Sequence, residues 1–160
     1  MRDGAWHPWA VLLTDQEHRI ELRPLRYRFP AVIGDRYDDN WLVVEGEVTT
    51  PEASWSFTDP CLLTEEARQI SPWLRAAGGE TLTGTLPDLS FLEPVLSFSH
   101  AAGGDGAGAL RVHLCYEAAP AWRAGGKSSD ACVIEIRATA EGLRRAADEW
   151  DRCLAPFPPR

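Results

Sequence analysis

Between Trp41 and Thr49 the chain alternates in a way that leaves little choice of backbone. Leu42, Val44 and Val48 fall on one side of an extended chain, with Trp41, Val43, Glu45, Glu47 and Thr49 on the other. A period of two fits a half-buried strand, because side chains leave a pleated backbone on alternate faces. Thr50-Pro51-Glu52-Ala53 then reads as a turn, with Pro51 pre-setting φ. A second strand follows, with Trp55 and Phe57 on one face and Ser54, Ser56 and Thr58 opposite. Asp59-Pro60 is expected to end it, since Pro60 has no N–H to give to a ladder. Thr64 is placed to cap a helix that opens at Glu65-Glu66.

The same patterning extends in both directions. Val11 to Thr14 and Arg19 to Phe29 read as strands around the polar turn Asp15-Gln16-Glu17-His18. Their alternation slips around Pro24, which predicts a bulge or an edge strand. Pro30 to Asn40 is a loop rich in Gly and Asp, expected to contribute to any binding surface. Thr64 to Ala77 reads as a helix with Ala67, Ile70 and Leu74 inward and Trp73 beside them. Pro72 inside it would cost about 3 kcal/mol, so a break at Ser71, with Ser71 capping a second segment, is expected. Gly78-Gly79 ends the helix.

A short strand over Thr81 to Thr85 is expected next, and then a hairpin of Leu89 to Ser99 with Ala109 to Glu117. In its second strand Leu110, Val112, Leu114 and Tyr116 form the inward set, with Arg111, His113 and Glu117 outward. His100 to Gly108 is too glycine-rich to pack and reads as a mobile tip. Pro120 to Asp130 is a polar loop and Ala131 to Arg137 a last strand. Thr139 caps a helix to about Leu154 whose stripe is Leu143, Ala146, Ala147, Trp150 and Leu154. The expected architecture is a single α+β domain over residues 1–160. Its antiparallel, largely meander β-sheet carries two main helices, about 64–77 and 140–154, on one face or end.

Charge and composition narrow the function. No apolar run reaches the length of a membrane span, and no basic, cleavable leader precedes Val11. Cys61, Cys115, Cys132 and Cys153 lie far apart without a CxxC pair, as expected of small buried hydrophobes in the reducing cytoplasm, with two disulfides as the alternative that four cysteines leave open. The net charge of −8 argues against a nucleic-acid partner. From Asp35 to Glu66 nine carboxylates face one cation, Arg36. Such a run is ordinarily a solvated surface, but it can also be a face that attracts a basic protein. Asp35, Asp38, Asp39, Glu45 and Glu47 are the candidate partner-binding residues on that second reading.

Motifs for chemistry are not found. His7, His18, His100 and His113 show no zinc-like spacing, and HExxH is missing, so no metal site is expected. There is no GxSxG elbow, and the closeness of Ser97, Ser99 and His100 along the chain says little about a triad. Cys115 and His113 would sit roughly 7 Å apart on one strand face, too far for a ready dyad. Gly103-Gly104-Asp105-Gly106 lacks the Lys-Ser/Thr of a phosphate loop. Asp38-Asp39 as an acid–base pair gives way to two solvated acids. No catalytic residue, metal or cofactor is therefore expected. Trp41, Trp55, Trp73 and Trp150 belong to regular patterns and read as core. Trp6, Trp9 and Trp122 do not; Trp122 beside Arg123 could anchor an interface, but core packing is the favoured role even for it.

Four stretches carry a family resemblance. DNWL at Asp39–Leu42, SWSFTDPCLLT at Ser54–Thr64, LSFLEPVLSF at Leu89–Phe98 and FPPR at Phe157–Arg160 resemble the WapI-type bacterial immunity proteins. The resemblance runs from about Ile20 to Arg160. It implies a small cytoplasmic protein, without catalytic motif or cofactor, that neutralises the C-terminal toxin of a WapA-like contact-dependent system. In the best-known case that toxin is a nuclease acting on tRNA. Departures are Pro72, the glycine tip and the segment before Val11. No toxin-contacting residue carries over by motif, so the acidic set above is an inference from charge toward a basic toxin domain. The alternative is a small-ligand-binding domain or small enzyme, with a pocket between sheet and helix lined by Trp and Cys. The oligomeric state stays open.

Overall fold

The computed structural model describes residues 10–79, 86–101, 108–121 and 132–160. The expected strand at Thr81–Thr85, the stretch 102–107 of the glycine tip, His7, Trp6, Trp9 and Trp122 lie outside them. Two antiparallel sheets result. Strands β1 (Val11–Thr14), β2 (Arg19–Tyr27), β3 (Trp41–Thr49) and β4 (Ser54–Leu63) pair in sequence order. After helix α1 (Thr64–Ala77), strands β5 (Leu96–Ala101), β6 (Ala109–Leu114) and β7 (Cys132–Ile136) form a second meander, and helix α2 (Ala140–Leu154) follows. The α+β class holds, with the meander divided in two where α1 and the segment behind it intervene.

β3 is paired on both sides, and its even-numbered residues Leu42, Val44, Gly46 and Val48 are buried. Gly46 is opposite Phe57, and a Cβ at Gly46 would sit 2.2 Å from Phe57 Cε1. The buried Phe57 ring therefore fills the place of the missing side chain. Trp41 and Val43, expected on the outer face, are also buried.

Proline placement explains two departures from expectation, at Pro60 and Pro72, and one expectation met, at Pro24. β4 does not stop at Asp59-Pro60 but runs to Leu63. Leu42 pairs with Leu62 and Val44 with Asp59, so β4 carries one extra residue there, and Pro60 falls in that bulge on an edge strand. Around Pro24 the expected slip is present as a bulge: Pro24 pairs with Val44 and Arg26 with Val43. β1 stops pairing at Leu22, so β2 has a partner on one side only from Arg23 onward. Pro72 does not break α1, which is continuous from Thr64 to Ala77. Both Pro72 and Arg68, whose carbonyl loses its N–H partner, lie on the exposed side, where water can replace the bond.

The helix start also differs. Thr64 is the first helical residue, not the cap, and its buried hydroxyl donates to Asn40 Oδ1 at 2.8 Å. Glu66 Oε1 instead accepts from the Leu63 N–H at 3.0 Å, and Glu66 Oε2 from the Leu92 N–H at 2.7 Å. Ser71 donates to the Asp151 carboxylate rather than capping anything. At α2 the expected cap is present, with the Thr139 hydroxyl accepting from the Gly142 N–H at 2.9 Å.

One apolar core joins both sheets and both helices. At its centre Trp150 on α2 is fully buried and donates its indole N–H to the Ala67 carbonyl of α1 at 2.7 Å. Burying that side chain is worth about 2–3 kcal/mol. Trp73 packs on Phe98 and donates to the Pro87 carbonyl, and half-buried Trp55 donates to the Ala118 carbonyl. The second hairpin is shorter than expected. β5 begins at Leu96, while Leu89 makes an isolated bridge back to Phe98. β6 ends at Leu114, and Tyr116, expected inward, is exposed at φ +50 in a tight turn.

Candidate protein-binding surface

Between β2 and β3 the chain makes a loop whose one piece of regular structure is a 3-10 turn at Asp38–Asn40, and its polar groups are closely paired. The Arg28 N–H donates to the Trp41 carbonyl at 2.8 Å and closes its base. Asp39 turns its carboxylate inward: one oxygen accepts from the Ile33 N–H at 2.8 Å, the other from the Gly34 N–H at 2.9 Å. Gly34 has φ +88, a left-handed conformation that suits glycine, so the turn there depends on residue type. Asp35 Oδ1 accepts from the Tyr37 and Asp38 N–H groups, each at 2.9 Å, as a short acid does when it shapes a turn.

A second set of bonds reaches the loop from Arg160. Its guanidinium donates to the carbonyls of Asp39 at 2.9 Å, Pro30 at 3.1 Å and Phe29 at 2.7 Å, and lies 3.7 Å from the centre of the Tyr27 ring. Asn40 clamps the Arg160 backbone, donating to its carbonyl at 3.0 Å and accepting from its N–H at 2.9 Å. The Asn40 amide also donates to the Arg36 carbonyl at 2.8 Å. Tyr27 meets Phe157 edge-on and donates its hydroxyl to the Pro158 carbonyl. The stretch FPPR thus does more than end a helix; it ties the loop to the sheet.

With the carboxylates turned to the backbone, apolar side chains face out. Ile33 is 70% exposed, Val32 59%, Tyr37 52% and Phe29 39%. Leu92, 63% exposed, joins Tyr37 in lining a recess of about 410 Å³. Arg36 and Glu65, both exposed, pair at 3.0 Å on its edge, and Glu65 holds the Arg36 guanidinium above its usual value.

The acidic residues predicted as partner-binding do not form one patch. Asp35 is exposed and Asp38 half-buried on the loop. Asp39 is only 2% exposed and both its oxygens are engaged, so it shapes the loop from inside and offers no charge at the surface. Glu45 is half-buried on the outer face of β3 and pairs with Arg23 at 2.8 Å. Glu47 is exposed and stands opposite Glu21. From Trp41 to Glu47 the strand covers roughly 20 Å, which separates the two groups.

Two other places could hold chemistry. Ser99 Oγ and His113 Nε2 lie 2.7 Å apart, half-buried, across the β5–β6 hairpin. Ser97 is directly opposite His113, so this is a diagonal contact that closeness along the chain did not suggest. A cleft of about 700 Å³ lies between the β1–β2 turn and the start of α2. It is lined by Leu12, Asp15, Arg137 and Arg145 among others. Burial disfavours the Asp15 carboxylate there, but hydrogen bonds from the Glu17, Arg137 and His18 N–H groups outweigh it and lower its pKa. Those bonds hold the turn and leave that group little freedom toward a ligand. Trp55 and Cys132 line a different recess, of about 560 Å³, between the β3–β4 turn and β7 rather than between sheet and helix.

The four cysteines are not joined in disulfides. Burial, then the nearby Asp59 charge, pushes Cys61 up to about 12, and burial followed by Glu149 pushes Cys153 up to about 11. Both stay protonated near neutrality and act as small apolar groups, as expected. No cluster of three His, Cys, Asp or Glu side chains able to hold a metal occurs among the described residues. Nor is any helix among them long and apolar enough to cross a membrane.

The sequence model of the immunity protein WapI-like family matches residues 11–158. The chain belongs to that family. No curated protein and no solved structure matches it. The match takes in β1, which the resemblance from Ile20 onward left out, and stops two residues before Arg160. In this WapI-like immunity protein the exposed Val32, Ile33 and Tyr37 and the clamp at Arg160 escaped the reading by charge. The available signal was an apolar Val-Ile pair inside a stretch with Gly34 and three Asp, where solvent exposure has no folding reason.

Proposed function

We propose that this protein is a cytoplasmic antitoxin that binds the toxin domain of a secreted nuclease-type system and inhibits it by occlusion, with no catalysis of its own. Membership of the immunity protein family, by a match over residues 11–158, carries this reading. A nuclease presents basic groups where its nucleic-acid substrate lies, and a protein of net charge −8 is drawn toward such a surface. The surface carboxylates Asp35, Asp38, Glu45 and Glu47 steer the approach, while Asp39 supports the loop from beneath.

The test is co-production in a bacterial host with the C-terminal domain of a large secreted protein encoded beside this gene. Growth arrest by that domain alone, and recovery when this chain is present at comparable level, is the expected pair of results. Purified together, the two should form a stoichiometric complex that blocks cleavage of RNA or DNA. Recovery without a physical complex would contradict occlusion, and no recovery would contradict the antitoxin reading itself.

A further inference from the structure

We infer that the loop over residues 29–37, together with Leu92, is the docking surface for the toxin domain, and that contact is made by apolar side chains rather than by the acidic face of β3. This rests on the antitoxin reading and adds where and how the partner is held. Seven large hydrophobic side chains are exposed among the described residues, and Phe29, Val32, Ile33 and Tyr37 come from this one loop. Leu92 meets Tyr37 at the recess. Apolar side chains scattered singly over a surface mean little, whereas a contiguous set marks an interaction site.

Rigidity is the second reason. An exposed apolar loop with a soft backbone would lose entropy on binding, but this one is already fixed by Asp39, Asp35, Asn40 and Arg160. The bonds that hold it consume backbone groups and leave side chains free, which is what a preformed anchor requires.

Charge around the apolar group has both signs but is divided in space. Asp35 and Asp38 lie on the loop beyond Ile33, Arg28 lies 5.0 Å from the Phe29 ring centre, Arg160 holds the Phe29 and Pro30 carbonyls, and Arg36 is paired with Glu65. The partner face that fits is an apolar depression on a nucleic-acid-cleaving domain, with basic side chains on the edge that meets Asp35 and Asp38. Val32 and Ile33 would enter that depression, and an apolar side chain of the toxin would fill the recess between Tyr37 and Leu92.

Binding of the toxin domain named above, measured by surface-immobilised kinetics with the full chain, decides it. Val32→Ser with Ile33→Ser should weaken binding about thirtyfold or more, mainly through faster dissociation. Asp35→Asn with Asp38→Asn should slow association and flatten its salt dependence. Glu45→Gln with Glu47→Gln should also slow association but leave the dissociation rate within about threefold of the unaltered chain, as steering without contact does. Each variant is compared at equal thermal stability, and Tyr37→Ala gives an independent reading if the double serine variant melts early. Normal binding by stable Val32/Ile33 and Tyr37 variants would overturn the assignment while leaving the antitoxin reading intact. Failure of the unaltered chain to bind would remove that reading first and this surface with it. A concentration-dependent dimer that the serine variant abolishes, in sedimentation runs without toxin, would reassign the patch to self-association.

Discussion

The loop between β2 and β3 and the outer face of β3 are neighbours with similar acidic sequences and opposite uses of charge. On the strand, side-chain direction is set by the pleat, so Glu45 and Glu47 point outward, where Glu45 meets Arg23 and Glu47 faces Glu21. In the loop nothing sets direction except local bonding, and the short side chains of Asp35 and Asp39 bend back onto N–H groups. Where backbone N–H groups lack a ladder, a carboxylate does its structural part, and apolar side chains are left to water. The two regions are both acidic and differ in what they present.

The sharpest way to break this comparison is Asp39→Ala. Hydrogen bonds to a charged group are worth about 1.5–3 kcal/mol each, and two N–H groups lose their acceptor at once. A loss of about 3 kcal/mol in urea unfolding is expected, with faster amide exchange at Ile33 and Gly34. Asp39→Asn, which keeps one carbonyl oxygen, should fall between. An unchanged midpoint for Asp39→Ala would mean that Arg160 and Asn40 hold the loop without it.

The strand's dependence lies on its other face. Gly46→Ala places a methyl group against the Phe57 ring, which is buried and cannot swing into water. Overpacking of this kind costs about 1–3 kcal/mol. Phe57→Leu in the same chain should recover part of that loss, read as a positive coupling in a double-mutant cycle. If the two substitutions simply add, the ring and the glycine are not in contact.

How much of this could be read in advance follows the same division. β1, β3, α1 and the α2 stripe were legible because period and burial agree, and Leu42, Val44, Val48, Leu143 and Trp150 are where the alternation and the helical stripe put them. The ends of β4 and the continuity of α1 were not, because they depend on which edge or face Pro60 and Pro72 meet. Of the surface, the loop's location was legible and its content was not. Asp39 is turned inward by bonds from the nearby Ile33 and Gly34 N–H groups, but the loop that carries them is also closed by Arg160, across 121 residues of sequence. No local pattern encodes such a contact.

A smaller effect separates neutralised from effective charge. Arg23 and Glu45 are both half-buried and paired, so Glu45→Gln should cost about 0.5–1 kcal/mol, and the cost should vanish when Arg23 is already Gln. Raised salt should shrink it only partly, because partial burial limits screening. A cost that survives in the Arg23→Gln chain would show that Glu45 acts through something other than this pair.

The smallest expected effect concerns a carboxylate that neither region neutralises. Asp59, opposite Val44 on β4, is partly buried, and Glu117 and Glu93 add repulsion, so its pKa is raised; Arg28 opposes this only in part. A carboxyl raised on folding stabilises the folded state below its ordinary value of 3.8, and that contribution is lost as pH rises through the raised value. At neutral pH the ionised group is therefore a net cost. Asp59→Asn should stabilise the protein at pH 7 by roughly 0.5 kcal/mol or less, since water screens a group this exposed. The gain should disappear in acid, where the native carboxyl is also neutral. Asp15 and Asp151 run the other way. Burial opposes ionisation in both, but the N–H groups around Asp15, and Ser71 with Arg75 beside Asp151, bring their pKa values down. Their stabilising share is present above 3.8 and lost as pH falls through the lowered values, so the unaltered chain should weaken in acid while Asp59 alone favours it. Thermal melts of both chains across pH 3 to 7 read the two trends separately, as differences of order one degree. A gain from Asp59→Asn that stays constant over that range would assign it to packing and not to charge.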